Sequence, residues 1–307
     1  MSNSLVSKIK DKDIFSLSKA VTIVENRLSD YKDILSKAYS LRKNVQKVGI
    51  TGPPGAGKST ITNKLCKRYL AQGKSVCVIC FDPSSPFNGG AILGDRIRMK
   101  DIDMSDKVFI RSIATRGSTG GLSECVSDID ILFECFGFDV ILYETVGVGQ
   151  IELDVMNYCD SVILVLTPES GDDIQMMKAG LIECANIIAI NKSDRPGSDR
   201  IKTFLKQYLD MGLEKESVPS VINLIAIEES GMELLESKIQ EHYSSVLKNK
   251  IKLNRDRQRY REFIFNITSN YLLENFLDKD RLLIVEKEVA KANSDRLSPY
   301  ELLEKIK

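Results

Sequence analysis

VQKVGITGPPGAGKSTITNKLCKRYL, residues 45–70, decides the fold. Residues 45–51 read as a short apolar strand and 59–70 as a helix. Between them Gly52-Pro53-Pro54-Gly55-Ala56-Gly57-Lys58-Ser59, followed by Thr60, matches G-x-x-x-x-G-K-[ST] in full. The glycines let backbone N–H groups close around phosphate oxygens. The helix N-terminus adds the positive end of its dipole. Lys58 would reach the outer phosphates and Ser59 would ligate Mg²⁺. The competing reading is a glycine-rich turn without function. A strand before and a helix after are the context that the phosphate motif requires.

Outward from this unit, apolar runs at 75–81, 108–111, 140–143, 161–166, 187–190 and 221–225 read as further strands. Helical spacing recurs over 122–136, 176–184 and 232–247. The later strands are continuously apolar, as strands covered on both faces are. Strands alternating with helices predict an α/β fold with a doubly wound, mainly parallel sheet. Ile14, Leu17, Val21, Val24 and Leu28 form one apolar stripe, so 11–43 reads as helix, and the charged, glycine-free end of the chain reads as helical again. The expected plan is a helical arm (1–43), a nucleotide-binding core (44–250) and a helical tail (251–307).

Asn191-Lys192-Ser193-Asp194 is an N-K-x-D motif directly after a strand, where ligands of such sheets bind. A carboxylate there accepts from the ring N–H and the exocyclic amine of guanine. Adenine lacks that donor pair and would leave the carboxylate unpaired. Asn191 and Asp194 are therefore the expected guanine-selecting residues, and GTP is favoured over ATP. Three carboxylates suit Mg²⁺, which takes a few hard oxygens and fills the rest with water and phosphate. They are Asp82, Asp95 and Glu144, the last at the end of a strand. Turn chemistry competes for Asp82 and Asp95, which sit beside Pro and Gly. Gly147 could offer its N–H to the γ-phosphate. Val148 stands where a water-orienting Gln is found in Ras-type sites, and Gln150 follows two residues on. Slow intrinsic hydrolysis, completed by a partner or a rearranged loop, is the expectation. The segment 171–178, with Asp172, Gln175 and Lys178, follows a strand end and suits a mobile switch; a helix N-terminus with acidic residues at its dipole is the compatible plain reading.

The 307 residues carry 43 Lys plus Arg against 43 Asp plus Glu, a formal charge of zero. That balance argues against a general nucleic-acid binder. No apolar run is long enough to cross a membrane. The N-terminus lacks a signal-like apolar stretch, so the cytoplasm is the simplest location, with the mitochondrial matrix as the alternative. Seven cysteines and one histidine suggest neither a disulfide scaffold nor a His-rich metal site. Cys77 and Cys80, oddly spaced within a strand, should point to opposite faces and not share a metal. Arg96, Arg98 and Lys100 form a basic patch whose default reading is solvated charge.

With these motifs in place, the chain resembles the MeaB-type GTPases, chaperones of adenosylcobalamin-dependent methylmalonyl-CoA mutase. The resemblance covers nearly the whole chain. It rests on residues 17–25, 50–60, Asp82-Pro83-Ser84-Ser85-Pro86-Phe87, 94–99, Arg116-Gly117 with Gly120-Gly121-Leu122, Glu144-Thr145-Val146-Gly147-Val148-Gly149-Gln150, Gly171-Asp172-Asp173-Ile174-Gln175 with 178–180, 191–194 and Leu297-Ser298-Pro299. The run around Glu144 and the run after Asp82 are the specific ones.

The resemblance implies a GTPase with a parallel α/β core, hydrolysing GTP to GDP, and a homodimer formed with help from the helical extensions. It associates Ser59, Asp82, Asp95 and Glu144 with Mg²⁺ and the switches. It gives Lys58, Glu144 and Asp95 catalytic roles, and makes 172–178 a switch that carries nucleotide state to the mutase. It implies gating of cofactor loading and protection or reactivation of the mutase, with an adenosyltransferase as a further partner. One departure is Ile225, where family members often have Ser; Ala226 remains the residue expected to offer its N–H to guanine. Three alternatives compete: a P-loop kinase of a small metabolite; a metal-insertion GTPase of related fold, which would want a Cys/His cluster; and a purely binding role with GTP as a structural ligand.

Overall fold

The computed structural model describes residues 2–82, 106–114, 121–145, 158–168, 181–212 and 218–307. Among the described residues seven strands form one sheet: β1 Gln46–Thr51, β2 Val76–Asp82, β3 Val108–Ala114, β4 Val140–Glu144, β5 Ser161–Leu166, β6 Ile187–Ile190 and β7 Ser220–Asn223. Their order is β3-β2-β4-β1-β5-β6-β7, and each pairing is parallel. The sheet is thus the doubly wound parallel one that the alternating pattern predicts. Every residue of β1, β4, β5 and β6 is buried, which explains the apolar runs 140–143, 162–166 and 187–190, while β1 also buries Gln46, Lys47 and Thr51.

The helices are α1 Ser2–Lys10, α2 Ile14–Glu25, α3 Tyr31–Tyr39, α4 Lys58–Ala71, α5 Gly121–Phe136, α6 Leu181–Cys184, α7 Ser198–Gly212, α8 Met232–Lys248, α9 Ile251–Phe276, α10 Lys279–Val289 and α11 Pro299–Ile306. On one face of the sheet, Ile61, Leu65 and Tyr69 of α4 and Met232, Leu235 and Ile239 of α8 share a core with Val48, Ile50, Val78, Leu142, Ile163 and Val165. The spacing of those helix positions, three to four residues, is what turns one apolar stripe inward. Cys80 belongs to this core and Cys77 does not, as odd spacing in a strand requires; both thiols are buried.

The segment 11–43 is not one helix. The chain leaves α1 through Lys12 at φ +69° and leaves α2 through Arg27 at φ +51°. Left-handed backbone is costly for such residues, and side-chain contacts offset it. Lys12 Nζ donates to the Gly137 carbonyl at 2.5 Å, and Arg27 pairs with the buried Asp128 of α5. Asp13 then caps α2, accepting from Ser16 N at 3.2 Å. The three helices pack on one another and on α5. Residues Met1–Leu253 form one compact unit and Asn254–Lys307 a second. In the second unit Ser298 and Glu301 make a reciprocal capping box behind Pro299, which starts α11. Helix α9 has no buried residue. Among the described residues no helix is long and apolar enough to cross a membrane.

Candidate nucleotide site

The phosphate loop leaves β1 in the middle of the sheet and enters α4. Gly52, Gly55 and Gly57 have φ of +144°, +76° and +94°. A Cβ on Gly52 would collide with the Val165 carbonyl, and one on Gly57 with the Asn191 side chain; Gly55 faces open space. The loop is therefore a cradle whose walls are set by backbone on one side and by the base-side loop on the other. Lys58 is buried, and its Nζ donates to the carbonyls of Gly52 at 2.7 Å and Pro53 at 2.9 Å. Its ammonium is thus held over the loop.

Register places Ile50 of β1 beside Glu144 of β4. One residue past the strand, Thr145 N donates to Ile50 O at 3.1 Å, and the Thr145 hydroxyl donates to that of Thr51 at 3.1 Å. Ser59, in the first turn of α4, donates its hydroxyl to Glu144 Oε1. A hydroxyl and a buried carboxylate thus meet beside the phosphate loop. Such a set of hard oxygens suits Mg²⁺, which needs only one or two protein carboxylates when phosphate and water complete its shell. Among the described residues no group of three or more His, Cys, Asp or Glu side chains could hold a metal ion. β2, next to β4, carries Asp82 to the same end of the sheet. The Asp82 side chain, and the whole of Asp95, Gly147, Gln150, Asp172, Gln175 and Lys178, lie outside the described residues.

At the ends of β6 and β7 two loops are joined. Asn191 N donates to Leu166 O at 2.8 Å, and Ser193 N to Leu224 O at 3.0 Å. The Asn191 side chain is 4% exposed. Its Nδ2 donates to Ala56 O at 2.8 Å and its Oδ1 accepts from Ala226 N at 3.0 Å. Both polar ends thus link three loops, and the N–H of Ala226 is engaged by the chain itself. Lys192 takes a left-handed φ of +56°, which turns the chain so that Asp194 stands exposed. The two motif residues therefore play different parts. Asn191 fixes loops, and Asp194 presents a carboxylate.

The threonines at 51 and 145 lie in motif runs, but their hydroxyl pairing is seen only in the structure, and the carbonyl of Val165 carries no motif signal and is recognisable only by its place against the phosphate loop.

With this geometry in place, residues 17–281 match the family described as methylmalonyl Co-A mutase-associated GTPase MeaB. A Pyrococcus horikoshii protein named "Putative GTPase" is 47% identical over 246 residues, spanning 78% of this chain and 77% of its own. The Mus musculus protein named methylmalonic aciduria type A homolog, mitochondrial, is 30% identical over 306 residues, spanning 92% of this chain and 73% of its own. A crystal structure of a LAO/AO transport system kinase superposes with a TM-score of 0.72, covering 99% of this chain and 96% of its own at 24% identity, and shares the fold. Motif, fold and family coincide: the chain belongs to the MeaB family and is a P-loop GTPase.

Proposed function

We propose that this GTPase serves a cobalamin-dependent methylmalonyl-CoA mutase as a chaperone, gating cofactor loading and protecting or reactivating the mutase. The support for the partner is the family description, which associates these GTPases with that mutase. The support for the cycle is the site. The observation that carries it is the Asn191 side chain, which ties the phosphate loop at Ala56 to the base loop at Ala226.

In this reading the phosphate-loop amides and Lys58 bind the β- and γ-phosphates. Lys58 exchanges its bonds to Gly52 and Pro53 for phosphate oxygens. Ser59 and Glu144, with Asp82 and Asp95, would hold Mg²⁺, which when bound would neutralise charge on the phosphate oxygens. Asp194 accepts from the guanine edge. Water attacks the γ-phosphorus, the bond to the β–γ bridging oxygen breaks, and GDP and inorganic phosphate leave. Gly147, Gln150 and the segment with Asp172, Gln175 and Lys178 are the elements proposed to respond to the γ-phosphate and to present that state to the mutase. Coupling in binding is reciprocal: if GTP favours the complex, the mutase favours GTP by the same factor.

We further read the chain as a homodimer joined through the helical tail. Tyr260, Ile264, Phe265, Tyr271, Leu272 and Leu273 of α9 are exposed large apolar side chains on a helix with no buried residue. An adenosyltransferase fits as a second partner, and the cytoplasm as the location.

The test is turnover of GTP and of ATP with Mg²⁺, alone and with methylmalonyl-CoA mutase. Slow GTP-specific turnover that the mutase accelerates is the expected result. GTP turnover indifferent to the mutase would reject the chaperone role and leave the GTPase standing. Phosphate release only when a small-molecule acceptor is supplied would restore the kinase alternative.

A further inference from the structure

We propose that Thr51 and Thr145 are a pair of positioning residues for hydrolysis. Their buried hydroxyls pin the end of β4 to the start of the phosphate loop, and so set where the Glu144 carboxylate stands relative to the phosphates. Both roles rest on the reading of Glu144 as a Mg²⁺ carboxylate.

Side chains alternate between the two faces of the sheet. Val48 and Ile50 of β1 and Leu142 of β4 share a core with α4 and α8 on one face. Glu144 has the parity of Leu142, and Ser59 of α4 donates to it. On the other face Lys47 of β1 and Tyr143 of β4 reach Asp130 of α5. Thr51 has the parity of Lys47, and Thr145 that of Tyr143. There the Thr145 hydroxyl donates to the Thr51 hydroxyl at 3.1 Å, while Thr145 N donates to Ile50 O at 3.1 Å. The end of β4 is therefore held on both faces, by Ser59 from one and by Thr51 from the other. Thr51 precedes Gly52, and Thr145 follows Glu144. The hydroxyl bond thus joins the neighbour of the phosphate loop to the neighbour of the carboxylate.

Stability alone does not call for these hydroxyls. Thr51 and Thr145 are 0% and 2% exposed. Two hydroxyls bring two donor protons. The bond between them uses one, and neither hydroxyl has a second partner among the described residues. Two valines would have the same shape and hide no polar atom. Replacing both partners of a buried bond by apolar groups of that shape costs folding little. What valines cannot supply is direction. Apolar burial is non-directional, whereas a hydrogen bond weakens steeply as its angle closes. Near a reacting centre a misplacement of about 1 Å costs roughly 10²-fold in rate.

The experiment compares the parent chain with Thr51→Val, Thr145→Val, the double valine variant, Thr145→Ser and Glu144→Gln. Calorimetry measures binding of a non-hydrolysable GTP analogue without metal, and then of Mg²⁺ to that complex. Single-turnover GTP hydrolysis and melting temperature are recorded beside it. Each valine variant should bind Mg²⁺ about tenfold more weakly and hydrolyse GTP about tenfold more slowly. Metal-free binding of the analogue and the melting temperature should stay as in the parent. The double variant should lose no more than either single one, because one bond is removed in all three. Thr145→Ser, which keeps the hydroxyl, should stay within about twofold of the parent. Where a valine variant fails to fold, Thr145→Ala is read in the same way. Valine variants that bind Mg²⁺ and hydrolyse GTP as the parent does, beside a Glu144→Gln variant that loses Mg²⁺, would overturn the proposal and leave the Glu144 reading standing. An equal loss of analogue affinity with and without Mg²⁺ would overturn it too, assigning the pair to packing of the phosphate loop. Unchanged Mg²⁺ affinity in Glu144→Gln would overturn the Glu144 reading and this proposal with it.

Discussion

Asn191 donates its side-chain amide to the carbonyl of Ala56 at 2.8 Å, so a residue of the base motif holds the phosphate loop in place. Its other end takes the N–H of Ala226. Loss of this side chain should therefore weaken recognition of phosphate as well as of base. Asn191→Asp is the sharper variant, because a carboxylate cannot donate and would face the Ala56 carbonyl. Losing such a buried donor costs about 1–3 kcal/mol. Calorimetry should show both GDP and pyrophosphate weakened about tenfold or more in Asn191→Asp. An effect on GDP with none on pyrophosphate would place Asn191 at the base alone.

The same contact ranks the loop glycines. All three have positive φ, so any side chain is strained there. At Gly55 the added methyl meets open space, whereas at Gly57 it meets Asn191 and at Gly52 the Val165 carbonyl. Gly55→Ala should cost about 1 kcal/mol or slightly more in GDP affinity. Gly57→Ala and Gly52→Ala should abolish measurable binding. Titration of the three variants with GDP, with circular dichroism to confirm folding, checks the ranking.

Much of this architecture is legible in the sequence alone. The expected strands over 161–166 and 187–190 match β5 and β6 residue for residue, because strands covered on both faces carry a signal of their own. The phosphate motif places its glycine loop between β1 and α4 and Ser59 in the first turn of the helix, as the structure does, since the motif is local. What is not legible depends on contacts distant in sequence. Lys12 and Arg27 break the N-terminal helix in left-handed conformations without a glycine or proline to announce it, and their partners, Gly137 and Asp128, lie beyond residue 120. The linking role of Asn191 needs Ala56 and Ala226 at once. Helix α7, charged and amphipathic between β6 and β7, carries no motif to draw attention to it.

Base selectivity gives a third prediction. Asp194 is the exposed carboxylate beside the anchored loop. In Asp194→Asn an amide replaces the acceptor pair, so guanine loses its partner and xanthine, which carries a carbonyl in place of the amine, gains one. Sites that rely on such bonds discriminate by about 10⁴ or more. Turnover with GTP should fall and turnover with XTP should rise, and the ratio of their kcat/KM values should reverse. Equal loss of both activities would mean that the change disturbs the loop instead of the readout.

Behind the site, Lys47 of β1 is buried against α5. Its ammonium lies 2.7 Å from Asp130 and 2.8 Å from Glu134, and Tyr143 donates its hydroxyl to Asp130. Burial alone would lower the Lys47 ammonium, but the two carboxylates outweigh it and hold it above its ordinary value. The contribution of Lys47 is therefore complete at neutral pH and is lost only as pH climbs through that raised value. Burial also pushes the Asp130 carboxyl above its usual range, against the pull of Lys47. Lys47→Met removes the pull and strands two carboxylates, at a cost of about 3–5 kcal/mol at neutral pH. In the variant the Asp130 carboxyl rises further. A carboxyl with a raised folded value adds stability below that value and loses it as pH rises. The deficit of Lys47→Met relative to the parent should therefore be smaller at about pH 5 than at about pH 8, in urea unfolding at both. A deficit that is the same at both, or larger in acid, would mean that packing of the lysine stem and not its charge is what the fold depends on.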